Sequence, residues 1–281
     1  MKHSVVLLDG ALGTFLWEKA QQRGLERVPV WRYNLEAPQV VTQVHQAYLD
    51  AGSQILLTNT FSANRNTVAG SPYGVDRVIQ AGVRLAKEAS AGRARVALDI
   101  GPLPVLLEPY GDLEAQTARD IYTELIGAGM AEQPDLIFLE TFMDIEMLKI
   151  AARAAKHYSV PVFCSMSFEQ SGRTLMGNSV QDMLDGLTPL GVDAVGLNCS
   201  LGPAAALPVM AEFRRRTELP LLFKPNAGMP EIVGDATQAT VAAEQFAQDV
   251  LPAAELGITY LGGCCGSAPS YIRRLKELLE E

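Results

Sequence analysis

With 281 residues, 48% of them hydrophobic and 20% charged, the chain buries a full core without disulfides or a partner, which excludes a disordered protein. Its 23 basic residues against 32 acidic ones leave a formal charge of -9, the wrong sign for a surface that tracks phosphates, so no nucleic acid is expected as a partner. No apolar run nears the ~20 residues of a membrane span, and only Val5 to Leu8 precede Asp9, too little for the apolar part of a signal peptide; a cytoplasmic protein with no membrane partner is expected.

In chain order, short apolar runs bounded by Gly, Pro or Asp predict strands at 5–8, 55–58, 96–100, 136–141, 162–167, 194–198, 221–224 and 259–261. Between them, helical spacing with Pro near the start or Gly behind the end predicts helices over 38–51, 75–91, 114–133, 145–157, 180–190, 203–217, 240–256 and 269–280. The strands recur about every 36 residues, enough for a strand, a crossover helix and two loops. No GxGxxG follows a strand, because Gly10 and Gly13 in DGALGT have the wrong spacing, and this argues against paired dinucleotide-binding halves. Without a linker or a low-complexity stretch, residues 1–281 are expected to form one α/β domain, a single (β/α)8 barrel.

A barrel of this kind builds its site at the C-terminal ends of its strands. The residues expected there are Asp9, the run Thr58, Asn59 and Thr60, Asp99, Glu140, Thr141, Ser165, Ser167, Asn198, Cys199, Lys224, Asn226, Cys264 and Cys265. Taken singly they have plain uses: Asp9-Gly10 suits a tight turn, and Asp99 or Thr58 can bond loop backbone. His3, His45 and His157 precede the first strand or fall in helices, so neither a His triad nor a His-rich metal site is expected. Cys164, inside an apolar strand, reads as a small buried hydrophobe with no role.

Cys199 in GLNCS and Cys264-Cys265 in GGCCG end two predicted strands and converge on one rim. Three thiolates with a fourth position left for substrate make an open Zn2+ site; a vicinal disulfide or plain packing is the alternative. Neighbouring strand residues face opposite ways, so Cys264 and Cys265 can share a metal only where the strand gives way to a turn, and Gly262, Gly263 and Gly266 permit one. Three anionic sulfurs weaken zinc as a Lewis acid towards carbonyls, yet zinc still holds a substrate thiol as thiolate, the form that attacks carbon. Alkyl transfer to sulfur is therefore the expected chemistry.

The ordered segments LLDGALGT, LLTNTFSANR, DIGP, FLETF, GLNCSLGP, KPNAGMP and GGCCG span residues 7–266 and together resemble the homocysteine S-methyltransferase family. The DIGP, GRTLMG, GLNCSLGP and PNAGMP segments look most like the N-terminal, homocysteine-binding module of the cobalamin-dependent methionine synthases. The resemblance implies a zinc-bearing barrel with Cys199, Cys264 and Cys265 as metal ligands and the homocysteine thiol in fourth place. It implies further that Asp9 and Glu140 hold the amino group of homocysteine, that backbone N–H groups around Gly10 and Ala11 face its carboxylate, and that Asn198 and Asn226 orient ligands or donor. Three features depart from the pattern: no DxHxxG corrinoid-ligand motif occurs, Ser267-Ala268-Pro269 stands where Thr-Thr-Pro is expected, and Lys224 replaces an acidic residue. The expected donor is a methylcorrinoid such as methylcobalamin on a separate protein or module, with S-methylmethionine, S-adenosylmethionine or betaine as alternatives. Two readings of other classes remain: a Schiff-base aldolase or lyase using Lys224, and a non-catalytic subunit that binds zinc or thiols.

Overall fold

The computed structural model describes residues 5–228, 231–233, 236–238 and 240–281. His3 and the last two residues of KPNAGMP, Met229 and Pro230, lie outside them. Eight strands form one parallel sheet: β1 (Val6–Leu7), β2 (Ile55–Leu57), β3 (Arg95–Ile100), β4 (Leu136–Phe142), β5 (Val162–Met166), β6 (Ala194–Asn198), β7 (Leu221–Lys224) and β8 (Tyr260–Leu261). The order around the sheet is β1-β8-β7-β6-β5-β4-β3-β2, so from β2 onward each strand neighbours its successor and the last pairs back to the first. Between β1 and β2 the seam is closed differently. Gln54 N–H donates to the Leu7 carbonyl at 2.7 Å, the Gln54 side-chain carbonyl accepts Leu7 N–H at 2.9 Å, and the Asp9 carboxylate accepts Leu57 N–H at 2.7 Å.

Around the sheet run α1 (Pro38–Ala51), α2 (Val75–Ser90), α3 (Ala115–Met130), α4 (Ile145–Ala155), α5 (Val180–Leu187), α6 (Pro203–Arg216), α7 (Ala243–Glu255) and α8 (Pro269–Glu280). Their boundaries follow local chemistry. Pro38, Pro203 and Pro269 open helices, where a missing N–H costs nothing, and Gly52 closes α1 in the left-handed region at φ 106°. Ser179 and Asp182 form a reciprocal capping box on α5. The expected strands and helices are all present, and the structure adds elements to the loops. A helix at Leu12–Gln22 buries Phe15, Leu16 and Ala20 between β1 and α1, and a two-stranded antiparallel ribbon, Glu231–Val233 with Ala236–Gln238, follows β7. The extra helix lengthens the first repeat unit, which the average spacing conceals.

Two apolar groups make the core. The larger lies between sheet and helices; the smaller fills the barrel with Leu8, Ile55, Leu57, Ala97, Leu136, Phe138, Phe163, Ala194 and Leu222. Strand side chains alternate in facing, and this alternation sorts the interior into layers. Ala97, Phe138, Phe163 and Leu222 form an apolar floor, and the residues two further along each strand are Asp99, Glu140, Ser165 and Lys224. Phe163 meets Phe138 edge to face at 6.3 Å and Tyr260 in a tilted contact at 4.6 Å, which fills the floor under a buried polar layer.

Candidate metal and thiol site

The three cysteines come from the ends of two strands, as their spacing predicts. Cys199 follows β6 directly in the left-handed region, at φ 61°, and Ser200 shares that conformation at φ 58°. This is a strained arrangement for residues with a Cβ. Backbone bonds hold it: Cys199 N–H donates to the Lys224 carbonyl at 3.0 Å, and Asn226 N–H to the Leu201 carbonyl at 2.9 Å. Cys264 and Cys265 sit in a turn past the end of β8, so strand alternation no longer separates them. Gly266 completes the turn at φ 81°, and Gly262 is needed for space, because a Cβ there would lie 2.7 Å from the Asp9 carbonyl. Cys264 N–H donates to Pro225 at 2.8 Å and Ala227 N–H to Cys265 at 2.9 Å, tying the turn to the loop after β7.

The sulfurs of Cys199, Cys264 and Cys265 all lie within 4.8 Å of one another, with Cys199 to Cys265 at 3.8 Å. Ligands at about 2.3 Å from a tetrahedral zinc ion stand about 3.8 Å apart, so the set fits that metal. The group is partly exposed, whereas Cys164 is fully buried in β5. S–H donation from Cys264 and then Cys265 pulls the Cys199 thiol down to about 3, while donating to Cys199 pushes Cys265 up to about 12. A metal bound by the three sulfurs would displace the protons they share.

Asn198, at the end of β6, locks this group to its neighbours. Its side-chain oxygen accepts from Ser165 Oγ at 2.7 Å and from Thr141 N–H at 2.8 Å, and its amide nitrogen donates to Thr141 Oγ1 at 2.7 Å and lies 3.8 Å from Cys264 Sγ. The Asn226 side chain bonds Cys199, and its buried Oδ1 has no partner among the described residues. The sequence marked both asparagines; Thr141 and Ser165 stood among the polar strand ends with no task assigned.

At the neighbouring strand ends lies a buried ionic group. Lys224 Nζ is 3.1 Å from Glu140 Oε2, 3.5 Å from Asp9 Oδ1 and 5.3 Å from the centre of the Phe138 ring. Burial alone would lower the Lys224 pKa, but Glu140 and Asp9 reverse this and hold it above its ordinary value. Burial lifts Asp9 to about 6 against the pull of Lys224. Asp99, pinned through its backbone by Thr58 and Thr60, is raised well above the carboxylate range by burial and then by Glu140, and its Oδ1 has no partner among the described residues. Paired with two buried carboxylates, Lys224 is placed as a counter-ion, and this geometry gives the Schiff-base reading no support. Ala11 N–H is already engaged by Ser267, at 3.2 Å to both its carbonyl and its Oγ. Of the two amides expected to face a carboxylate, Gly10 N–H alone makes no bond to a described residue.

Fold and site together define a barrel protein with a three-sulfur centre at the mouth and a buried ionic cluster at the neighbouring strand ends. A model of the homocysteine S-methyltransferase family matches residues 6–279, and the chain belongs to that family of enzymes. It is similar to a methionine synthase of Mycobacterium tuberculosis, 32% identical over 300 residues, which cover 98% of this chain and 24% of the relative. A methionine synthase of Mycobacterium leprae is 30% identical over 295 residues, covering 96% and 24%. The chain thus spans about a quarter of the length of these curated relatives. Among solved structures, the metallated form of the homocysteine methyltransferase MmuM from Escherichia coli superposes with a TM-score of 0.84 at 22% identity, over 99% of this chain and 97% of that one, a likeness of fold.

Proposed function

We propose that the chain transfers a methyl group to the thiol of homocysteine, giving methionine, in the cytoplasm, with a methylated corrinoid on another protein or module as donor. The observation that carries this reading is the convergence of the Cys199, Cys264 and Cys265 sulfurs to within 4.8 Å of one another, at the same strand ends that carry the buried carboxylates of Asp9 and Glu140. Zinc, when bound by the three cysteines, lets an acceptor thiol persist as thiolate at neutral pH.

The chain's own residues supply position. Asn198, fixed by Ser165 and Thr141, steadies Cys264, and Asn226 steadies Cys199. Asp9 and Glu140 face the amino end of the acceptor and Gly10 N–H its carboxylate, a pattern of charge-assisted bonds. In the transfer the acceptor's sulfur loses its proton to solvent and forms a bond to the methyl carbon. The bond from that carbon to the donor breaks, and the donor keeps the electron pair. The donor must therefore approach in line, to about 3–3.5 Å, through the mouth. A macromolecular donor is supported by the exposed Phe61, Leu106, Tyr110, Met143 and Leu175, which lie on the loops after β2, β3, β4 and β5.

Methionine formation measured side by side with methylcobalamin, S-methylmethionine, S-adenosylmethionine and betaine tests the reading. Turnover with methylcobalamin is expected; efficient turnover with a small sulfonium or betaine and none with methylcobalamin would overturn the corrinoid assignment, and no turnover with any donor would favour a binding subunit.

A further inference from the structure

In the pocket that the proposed function assigns to the substrate's ammonium group, a cation is already present. Lys224 Nζ bonds Glu140 Oε2 at 3.1 Å and approaches Asp9 Oδ1 at 3.5 Å, and the other Asp9 oxygen is engaged by Leu57 N–H at 2.7 Å. Asp9 therefore has both oxygens occupied by the protein. Lys224 is 2% exposed, Asp9 0% and Glu140 8%, so solvent does not screen this group and its charge count matters. Asp99, in the same buried layer, is kept neutral by its burial and by Glu140, so Asp9 and Glu140 against Lys224 leave a single net negative charge. A pocket with the same two carboxylates and no lysine would hold two unpaired buried charges until a substrate cation arrived, and such a pocket rejects any acceptor that lacks one.

We infer that Lys224 is a specificity-determining residue: by supplying a built-in counter-charge to Asp9 and Glu140, it opens the site to thiol acids that lack an α-ammonium group as well as to homocysteine. The substrate class is then a short-chain mercapto-carboxylate, for which the α-amino group is an addition rather than a requirement. The Phe138 ring 5.3 Å from Nζ favours the ammonium on its apolar side, and the aliphatic stem of Lys224 is packed near Gly262, where a Cβ would meet its Cγ at 3.2 Å. Both contacts hold the cation beside the two carboxylates. This inference rests on the proposed function, since it assumes that the thiol lies at the three cysteines and the polar end beside Lys224.

The test compares homocysteine with 4-mercaptobutanoate, the same thiol acid without its amino group, by calorimetric binding to the zinc-loaded protein and by KM as methyl acceptor. In the wild type the two are expected to bind within about tenfold of one another. In Lys224→Met the preference for homocysteine should rise to about a hundredfold or more, because two carboxylates then depend on the substrate's ammonium. The double variant Lys224→Met with Glu140→Gln, which restores one net negative charge, should bring the preference back towards that of the wild type. A wild-type preference already above about a hundredfold overturns the inference and leaves the proposed function standing, and this comparison decides even where Lys224→Met fails to fold. An unchanged preference in Lys224→Met also overturns it, by reducing Lys224 to a structural ion pair. Binding of neither thiol overturns the proposed function and the inference with it.

Discussion

At the scale of single residues, the side chains that touch sulfur are held by others that do not. Asn198 uses its oxygen for Ser165 and Thr141 and directs its amide nitrogen towards Cys264. Outer partners of this kind typically change metal affinity by about 10- to 100-fold. Asn198→Ala is expected to weaken zinc retention by that range in a chelator competition, with Cys264→Ala abolishing stoichiometric zinc and Cys164→Ala changing little. Equal zinc content across the three variants would sink the centre. His45 illustrates a different residue-scale effect. It lies buried in α1, its two ring nitrogens have no partner among the described residues, and burial lowers its pKa to about 4. The unfolded chain takes up this proton near 6.5, and the folded chain refuses it until about 4. Stability that is intact above pH 6.5 is therefore lost as pH falls from 6.5 towards 4, by about 3 kcal/mol in all. Asp9, held up to about 6, runs in the opposite sense over an overlapping range. Comparing variant with wild type cancels the Asp9 contribution: His45→Leu should gain melting temperature relative to wild type as the buffer goes from pH 7 to pH 5, and a pH-independent difference would show that the imidazole is not held neutral.

At the scale of elements, the seam between β1 and β2 is the place where the barrel depends on side chains. Both strands are short, and closure uses Gln54 as a peptide-like partner for Leu7, with Asp9 as the acceptor for Leu57 N–H. Gln54→Ala deletes one of these bonds and leaves Leu7 N–H without its acceptor. A loss of about 1 kcal/mol is expected in urea unfolding, together with faster amide exchange at Leu7. If exchange at Leu7 is unchanged, the seam is held by backbone alone. These elements were largely legible beforehand, because Pro38 and Gly52 around α1, or Pro203 before α6, act locally. The helix Leu12–Gln22 escaped because the even spacing of the eight units assigns its residues to a connecting loop; its apolar face is defined by contact with the core.

At the scale of the whole molecule, the mouth divides into a chemical side and an apolar side. Cys199, Cys264 and Cys265 follow β6 and β8, whereas the exposed Phe61, Leu106, Tyr110, Met143 and Leu175 follow β2 to β5. Isolated exposed apolar residues are ordinary, but five on consecutive loops around one opening suit a docking surface. Tyr110 is 73% and Leu175 68% exposed, so Tyr110→Ser with Leu175→Ser should leave the stability in urea unfolding within about 1 kcal/mol of wild type. It should raise KM for a corrinoid donor protein several-fold while leaving turnover of free methylcobalamin unchanged. An equal effect on both donors would place these residues in the reaction rather than in docking. Among the described residues no helix is long and apolar enough to cross a membrane.

The sequence by itself determined the repeat of strand and helix, the barrel that this repeat builds, and the three cysteines at two of its strand ends, because periodicity, helix caps and turn glycines are local properties that each segment carries alone. Only the tertiary structure decided who partners whom. That Ala11 N–H is taken by Ser267, 256 residues away, that Asn198 reaches across to Thr141 and Ser165, and above all that Lys224 stands between Asp9 and Glu140, all depend on distances between strands that no local pattern encodes. The same lysine at the end of a run of apolar residues reads equally well as a nucleophile or as a counter-ion. Burial beside two carboxylates, which requires the closed barrel, keeps it a cation.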